Sequence, residues 1–155
     1  MDVFLVRHAK AGVRHKWEGP DDLRPLSKKG RKQAERLAAL LGEAGVTRIL
    51  SSPSVRCVET VQPLADGLDL KVEETDALAE GVAPEGVVTL ARDVARDSVA
   101  VLCTHGDVIP ILLDTLTRTD GLDLPDDYPC AKGSTWRLRT DGSGRFVDAE
   151  YIAAS

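Results

Sequence analysis

Val3-Phe4-Leu5-Val6-Arg7-His8, at residues 3–8, is a run of four apolar residues that leads directly into an arginine and a histidine. A short apolar run of this kind predicts a strand buried on both faces, as in the parallel sheets of α/β proteins. Ligands of open α/β sheets bind beyond the carboxyl ends of the strands. Arg7 and His8 therefore stand where a binding site is expected.

Strand and helix patterns alternate along the rest of the chain. Helices are predicted from apolar residues spaced three and four apart, and strands from short apolar runs. The expected elements are strand 3–6, a helix capped by Ser27 and closed by Gly45, strand 49–51, a helix starting at Ser52 or Ser54 and bent or interrupted at Pro63, strand 71–73, a helix with Pro84 in its first turn, strand 98–103, a helix with Pro110 in its first turn, and a hairpin of strands 134–139 and 146–152. This order predicts an α/β fold, a three-layer α/β/α sandwich whose mostly parallel sheet has an antiparallel edge.

Size and composition are those of one ordinary globular domain, expected over residues 1–155. The chain is 43% hydrophobic and 29% charged, which argues against a disordered or low-complexity protein. Its apolar runs are far shorter than the ~20 residues that span a bilayer, and its first residues lack a signal-peptide pattern. The three cysteines, Cys57, Cys103 and Cys130, are widely spaced and fit reduced thiols. We therefore expect a cytoplasmic protein with no membrane partner.

Charge is unevenly distributed along the sequence. The net charge is −5, yet residues 7–32 hold nine basic and three acidic side chains, a local +6 that leaves −11 for the remainder. An acidic molecule is a poor general binder of nucleic acid, so we expect no nucleic-acid partner. The basic segment is either a solvated face or a field that attracts an anionic substrate.

Three predicted strand ends carry polar groups suited to phosphate. They are Arg7-His8, Ser51-Ser52 leading to Arg56, and Thr104-His105. Because carboxyl ends of parallel strands meet at one edge of a sheet, these groups should converge. Two of the three histidines of the chain would then lie together beside two arginines.

Other phosphate chemistries lack their motifs here. The sequence contains no Gly-x4-Gly-Lys-Ser/Thr segment, and no cysteine has an arginine six residues further on. No His-x-His or Asp-x-Asp pair stands at a predicted strand end to hold a metal. The remaining expectation is phosphate chemistry carried out by histidine, without a metal or a cofactor.

Three segments resemble the histidine phosphatase superfamily, whose fold is phosphoglycerate mutase-like. Leu5-Val6-Arg7-His8-Ala9-Lys10 is similar to its Arg-His-Gly/Ala signature, residues 51–60 (SSPSVRCVET) to its Ser-Pro-x-x-Arg-x-x-x-Thr segment, and His105-Gly106 to its second histidine. The Arg-His-Ala-Lys form, Arg24-Pro25-Leu26-Ser27 with Gly30, and the small size most resemble the SixA-type phosphohistidine phosphatases. A further resemblance, through Lys132-Gly133-Ser134-Thr135-Trp136, is to the domain that follows Nudix in mycobacterial enzymes acting on oxidised guanine nucleotides.

The resemblance implies a catalytic role for several residues. His8 would be the nucleophile, and Arg7, Arg56 and His105 would bind the phosphoryl oxygens. Glu80, in a segment similar to the one that carries the general acid of larger members, would protonate the leaving group; the SixA branch can lack this acid. Ser51, Thr104 and Lys132 are expected as accessory substrate contacts.

Several alternatives stay open from sequence alone. The leading expectation is a metal-independent, SixA-like phosphatase acting on phosphohistidine in a protein. The rivals are a small-molecule or nucleotide phosphatase and a phosphate-binding module without turnover. The loops at residues 9–26 and 120–133 are the expected recognition segments. The oligomeric state is not indicated.

Overall fold

The computed structural model describes residues 1–124 and 127–154 and contains six strands joined into one sheet. The strands are β1 (Asp2–Arg7), β2 (Arg48–Ser51), β3 (Val72–Glu74), β4 (Ala100–Thr104), β5 (Thr135–Thr140) and β6 (Phe146–Ile152). The helices are α1 (Lys28–Leu41), α2 (Val55–Leu68), α3 (Pro84–Ala95) and α4 (Val108–Asp120), with short 3-10 turns at Arg14–Lys16, Asp21–Leu23 and Asp76–Leu78.

The strand order is β3-β2-β4-β1-β5-β6, with β1 to β4 mutually parallel and the β5–β6 hairpin antiparallel at one edge. In the central pair, Arg7 of β1 lies opposite Thr104 of β4, and on the other side of β4, Cys103 lies opposite Ser51 of β2. This register brings the three polar strand ends to the same edge of the sheet.

Each face of the sheet is covered by two helices. Val3 and Leu5 of β1 pack on one face with residues of α3 and α4, such as Val94 and Leu112. The alternate residues of the same strand pack on the other face with α1 and α2. The strands β1 and β4 are buried on both faces, which explains why their sequences are continuous apolar runs. The predicted three-layer α/β/α fold with an antiparallel edge is confirmed.

The predicted end of the first helix was wrong, and of the two outcomes predicted at Pro63, a bend or an interruption, the interruption is absent. The α1 helix ends at Leu41 with Gly42 as its C-cap, and Gly45, with φ +79°, lies in the turn that leads to β2. Pro63 does not interrupt α2, which runs continuously through it. A proline at this position removes one main-chain hydrogen bond. The helix tolerates this loss because its remaining turns are buried along one side.

Other boundaries shifted by one or two residues. The third and fourth strands are Val72–Glu74 and Ala100–Thr104 instead of 71–73 and 98–103. In the predicted recognition loop 120–133, positions 125 and 126 lie outside the described residues. Across the part of the chain that the structure describes, no helix is both long and apolar enough to cross a bilayer.

Candidate active site

The two histidines of the predicted site lie side by side at the carboxyl edge of the sheet. The main-chain N–H of His8 donates to the carbonyl of Thr104 at 3.0 Å, which fixes the end of β1 against the end of β4. The rings of His8 and His105 are 5.5 Å apart between centroids and meet edge to face. Both are buried, with exposed fractions of 7% and 3%.

One hydrogen bond defines the chemical state of His8. Its Nδ1 lies 2.8 Å from the carbonyl oxygen of Ala9. Because a carbonyl oxygen only accepts, Nδ1 carries the proton, and Nε2 of the neutral ring carries the free lone pair. Burial lowers the pKa of His8 to about 4; the bond to Ala9 opposes this shift, and the charges of Arg56 and Arg7 reinforce it.

The loop that holds this carbonyl is itself fixed by α2. The N–H of Ala9 donates to Oγ1 of Thr60 at 2.9 Å, and the Thr60 hydroxyl donates to the carbonyl of Arg56 one turn earlier in the helix at 2.7 Å. The orientation of the His8 ring is therefore tied to the same helix that supplies Arg56.

Arg7 reaches across the site toward the loop before β5. Its Nη1 donates to the carbonyl of Cys130 at 2.6 Å. Its Nε is buried and has no hydrogen-bond partner among the described residues. The guanidinium lies over Gly106, where an added Cβ would stand 2.7 Å from Cζ of Arg7. Glycine at position 106 therefore makes room for the arginine.

Arg56 is almost completely buried, with an exposed fraction of 1%. Its Nη1 donates to the carbonyl of Asp21 at 3.0 Å, and its Nη2 donates to Oε2 of Glu80 at 3.1 Å. Its Nε, like that of Arg7, is buried without a partner in the described part of the chain. Buried donors without partners are rare, and a charged guanidinium N–H is a strong donor to an oxyanion.

Asp21, which sequence analysis did not identify, joins three arginines. Its carboxylate lies 3.4 Å from Nε of Arg14, 3.1 Å from Nε of Arg24 and 3.3 Å from Nη2 of Arg56. Slight burial acts in the opposite direction, but the hydrogen bond from Arg24 and the three positive charges lower the pKa of Asp21. Asp21 thus connects the loop at residues 9–26 to the buried Arg56.

His105 is held by residues at the end of β2 and the start of α2. Its Nε2 lies 2.8 Å from Oγ of Ser52 and 3.6 Å from Sγ of Cys57. The pKa of Cys57 is lowered to about 6 because the neighbouring thiol of Cys103 hydrogen-bonds to it; burial opposes this shift and His105 reinforces it. Ser52 is therefore the serine of this segment that contacts a site histidine.

The hydroxyls expected as accessory contacts bond within the protein instead. Ser51 donates to the carbonyl of Ser52 at 2.8 Å, and Thr104 donates to the carbonyl of Leu78 at 2.6 Å. Both residues are almost completely buried. Their hydroxyl protons stabilise the strand ends, which is the usual role of hydroxyl groups at such positions.

A cleft of about 400 Å³ opens beside His8. Its lining includes five cationic side chains, those of Arg7, Lys10, Arg14, Arg24 and Lys132. The predicted contact Lys132 is thus placed at the cleft. Within residues 1–124 and 127–154, no group of three or more His, Cys, Asp or Glu side chains is arranged to hold a metal ion.

Residues 3–86, more than half of the chain, match the histidine phosphatase superfamily (branch 1). The chain belongs to this superfamily, as the resemblance of its motifs indicated. The match covers four segments that build the site: the end of β1, the loop after it, α2, and the segment that carries Glu80.

Among the proteins similar to the chain are two curated relatives and one solved structure. It is 37% identical, over 97% of its own length and 48% of the relative's, to an 8-oxo-(d)GTP phosphatase of Mycolicibacterium smegmatis. It is 33% identical, over 56% of its length and 55% of the relative's, to a phosphohistidine phosphatase SixA homologue of Haemophilus influenzae. The chain spans about half the length of these relatives. The tungstate complex of the protein histidine phosphatase SixA has the same fold, with a TM-score of 0.79 at 19% identity over 99% of this chain and 96% of that chain.

Proposed function

We propose that the protein is a phosphohydrolase that works through a phosphohistidine on His8. The observation that carries the proposal is the 2.8 Å contact between Nδ1 of His8 and the carbonyl of Ala9. It leaves Nε2 as an unprotonated nucleophile, and the lowered pKa keeps it so at neutral pH.

The proposed reaction has two steps. Nε2 of His8 attacks phosphorus in line, a nitrogen–phosphorus bond forms, and the bond from phosphorus to the leaving group breaks. Water then attacks the phosphohistidine, which releases inorganic phosphate and restores the imidazole. Neither step requires a metal.

Arg7 and Arg56 would stabilise the charge that spreads over the phosphoryl oxygens. Their two unpartnered Nε–H groups are buried, so they would act in a medium of low dielectric where a charged hydrogen bond is strongest. His105, 5.5 Å from His8 between ring centroids, would supply a further donor.

Glu80 is the proposed general acid. Its carboxylate accepts a hydrogen bond from Nη2 of Arg56 at 3.1 Å, and this contact with a proposed phosphoryl-binding residue supports the role. The loop that carries it is fixed because the N–H of Gly81 donates to Asp107 at the start of α4 at 2.8 Å. An acid in this position would assist leaving groups that depart as strong bases, such as alkoxides.

Two substrate classes are supported by the names of the relatives. Phosphohistidine in a protein fits the SixA homologue, and a nucleotide or other small phosphorylated molecule fits the 8-oxo-(d)GTP phosphatase. A panel of phosphohistidine peptide, sugar phosphates and nucleoside di- and triphosphates would separate the two classes by kcat/KM.

A phosphate-binding module with the same pocket would not hydrolyse any substrate of this panel. Nitrophenyl phosphate in the presence of EDTA tests this directly, because its leaving group needs no proton and the proposed steps need no metal. Turnover that vanadate inhibits competitively is expected. No turnover, or turnover that EDTA abolishes and added Mg²⁺ or Zn²⁺ restores, would contradict the proposal.

A further inference from the structure

Two lysines from distant parts of the chain line the same cleft. Lys10 follows the nucleophile by two residues, and Lys132 lies in the loop before β5. Neither ammonium group has a hydrogen bond or an ion pair with a residue of the described ranges 1–124 and 127–154. The arginines of the cleft, in contrast, already have protein partners.

Gln33 of α1 holds the main chains of these two lysines next to each other. Its Oε1 accepts from the N–H of Lys10 at 2.9 Å, and its Nε2 donates to the carbonyl of Lys132 at 3.4 Å. Gly133, with φ +82°, permits this approach, since an added Cβ would stand 3.2 Å from Cδ of Gln33. A single side chain thus fixes where both lysines emerge.

Positive charge at this position has no compensating anion in the cleft lining. The described residues that line the cleft include five cations and no carboxylate. Burial, followed by the charges of Arg7, Arg24 and Lys10, lowers the pKa of Lys132. Asp21, outside the lining, pairs with Arg14 and Arg24, and Glu80 lies 3.7 Å from Arg14, so the uncompensated charge of the cleft is that of Lys10 and Lys132 beside Arg7. This remaining positive charge attracts an anion.

We infer that Lys10 and Lys132 form a second anion subsite, which binds a second phosphate group of the substrate next to the one transferred. The inference rests on the proposed role of His8. The proposed reaction assigns Arg7, Arg56 and His105 to one phosphoryl group, so two additional free ammonium groups indicate further negative charge on the same molecule. Phosphohistidine has a neutral imidazole in that position and would leave both lysines unused.

The substrate class that fits is a phosphoanhydride of the nucleoside di- or triphosphate type. Nε2 of His8 would form its bond to the terminal phosphorus while the bond from that phosphorus to the bridging oxygen breaks. The bridging oxygen would leave on the next phosphate, which the two lysines hold and whose negative charge they balance. Water would then hydrolyse the phosphohistidine as before.

The test compares pyrophosphate with orthophosphate as ligands of a His8→Ala protein by titration calorimetry. Orthophosphate fills the phosphoryl site alone, whereas pyrophosphate reaches both sites. Pyrophosphate should bind severalfold more tightly, up to about 25-fold, since each of the two exposed charge contacts contributes up to about fivefold. Lys10→Gln combined with Lys132→Gln should abolish most of this preference. Lys16→Gln, in the same loop but outside the cleft lining, is the matched control and should preserve it.

Binding to a His8→Ala protein does not depend on turnover, so this test and the proposed catalytic role can fail separately. No preference for pyrophosphate, or a preference that the double substitution leaves unchanged, would overturn the second subsite. An equal loss of affinity for both ligands would place the lysines on the transferred phosphate and would also overturn it. Gln33→Ala should reduce the preference partially, because both lysines keep their charge but lose their common support.

Discussion

Nδ1 of His8 and the carbonyl oxygen of Ala9 lie 2.8 Å apart, so the residue that follows the nucleophile fixes the tautomer of the nucleophile. Because this contact is between a side chain and the main chain of its neighbour, substitution of the Ala9 side chain does not remove it. The proton on Nδ1, the free lone pair on Nε2 and the orientation of the ring all depend on it.

The titration of His8 is the first prediction. Burial lowers its pKa to about 4, so the ring should stay neutral over the range in which an unperturbed histidine becomes protonated. NMR titration of the ring, assigned by its disappearance in His8→Gln, should show a midpoint near 4. A midpoint at or above 6 would contradict the proposed neutral nucleophile.

The same shift affects stability. Because the folded pKa lies below the unfolded value of 6.5, the folded state binds fewer protons, and its free energy of unfolding should fall as the pH decreases from 6.5 toward 4. His8→Gln removes this contribution. Urea unfolding at several pH values should therefore show a flatter dependence in the variant than in the wild type.

Arg56→Lys should lower kcat/KM for nitrophenyl phosphate by about 10²–10³-fold. A lysine keeps the positive charge near Asp21 and Glu80 but loses the buried Nε–H and the planar fork that a phosphoryl group requires. Arg118→Lys, an exposed arginine on α4, is the control and should leave the rate unchanged. The rate of the control should lie within threefold of wild type. If the rate of Arg56→Lys also lay within threefold of wild type, the proposed contact would be ruled out.

Gly106→Ala should reduce activity much more than stability. The added Cβ would stand 2.7 Å from Cζ of Arg7, and the end of a flexible side chain can move aside at low cost in folding energy. We expect kcat/KM to fall at least tenfold while Tm changes by less than about 4 °C, which corresponds to about 1 kcal/mol or less. Gly86→Ala, which meets no atom within 4 Å, is the control for both measurements. Retained activity would show that the position of Arg7 is not needed.

Glu80→Gln tests the general acid through the choice of leaving group. A glutamine keeps the shape but has no proton to give, so the loss should be steep for an alkyl phosphate, modest for phosphohistidine and slight for nitrophenyl phosphate. Losses of equal size on all three substrates would instead assign Glu80 to the support of Arg56, which it contacts at 3.1 Å. No loss on any of them would leave Glu80 without a catalytic role.

The sequence predicted those parts of the site that follow from strand order. Arg7-His8 and Thr104-His105 end neighbouring parallel strands, so a correct fold class places them together. Asp21 and Gln33 could not be predicted in this way, because their contacts depend on how the loop at residues 9–26 and the loop before β5 return to the sheet. Ser51 was the expected substrate contact, but Ser52 is the serine that contacts His105. Successive side chains along a strand point in opposite directions, so an error of one residue at the end of β2 selects the wrong serine.

The most direct test of the account is to identify the residue that carries the phosphoryl group during turnover. Wild-type protein mixed with labelled nitrophenyl phosphate and quenched within the first turnover should carry an acid-labile, base-stable label. Mass spectrometry at alkaline pH should place that label on His8, and His8→Ala should fold normally but neither become labelled nor turn over substrate. Label on any other residue, or an active His8→Ala protein, would contradict the account.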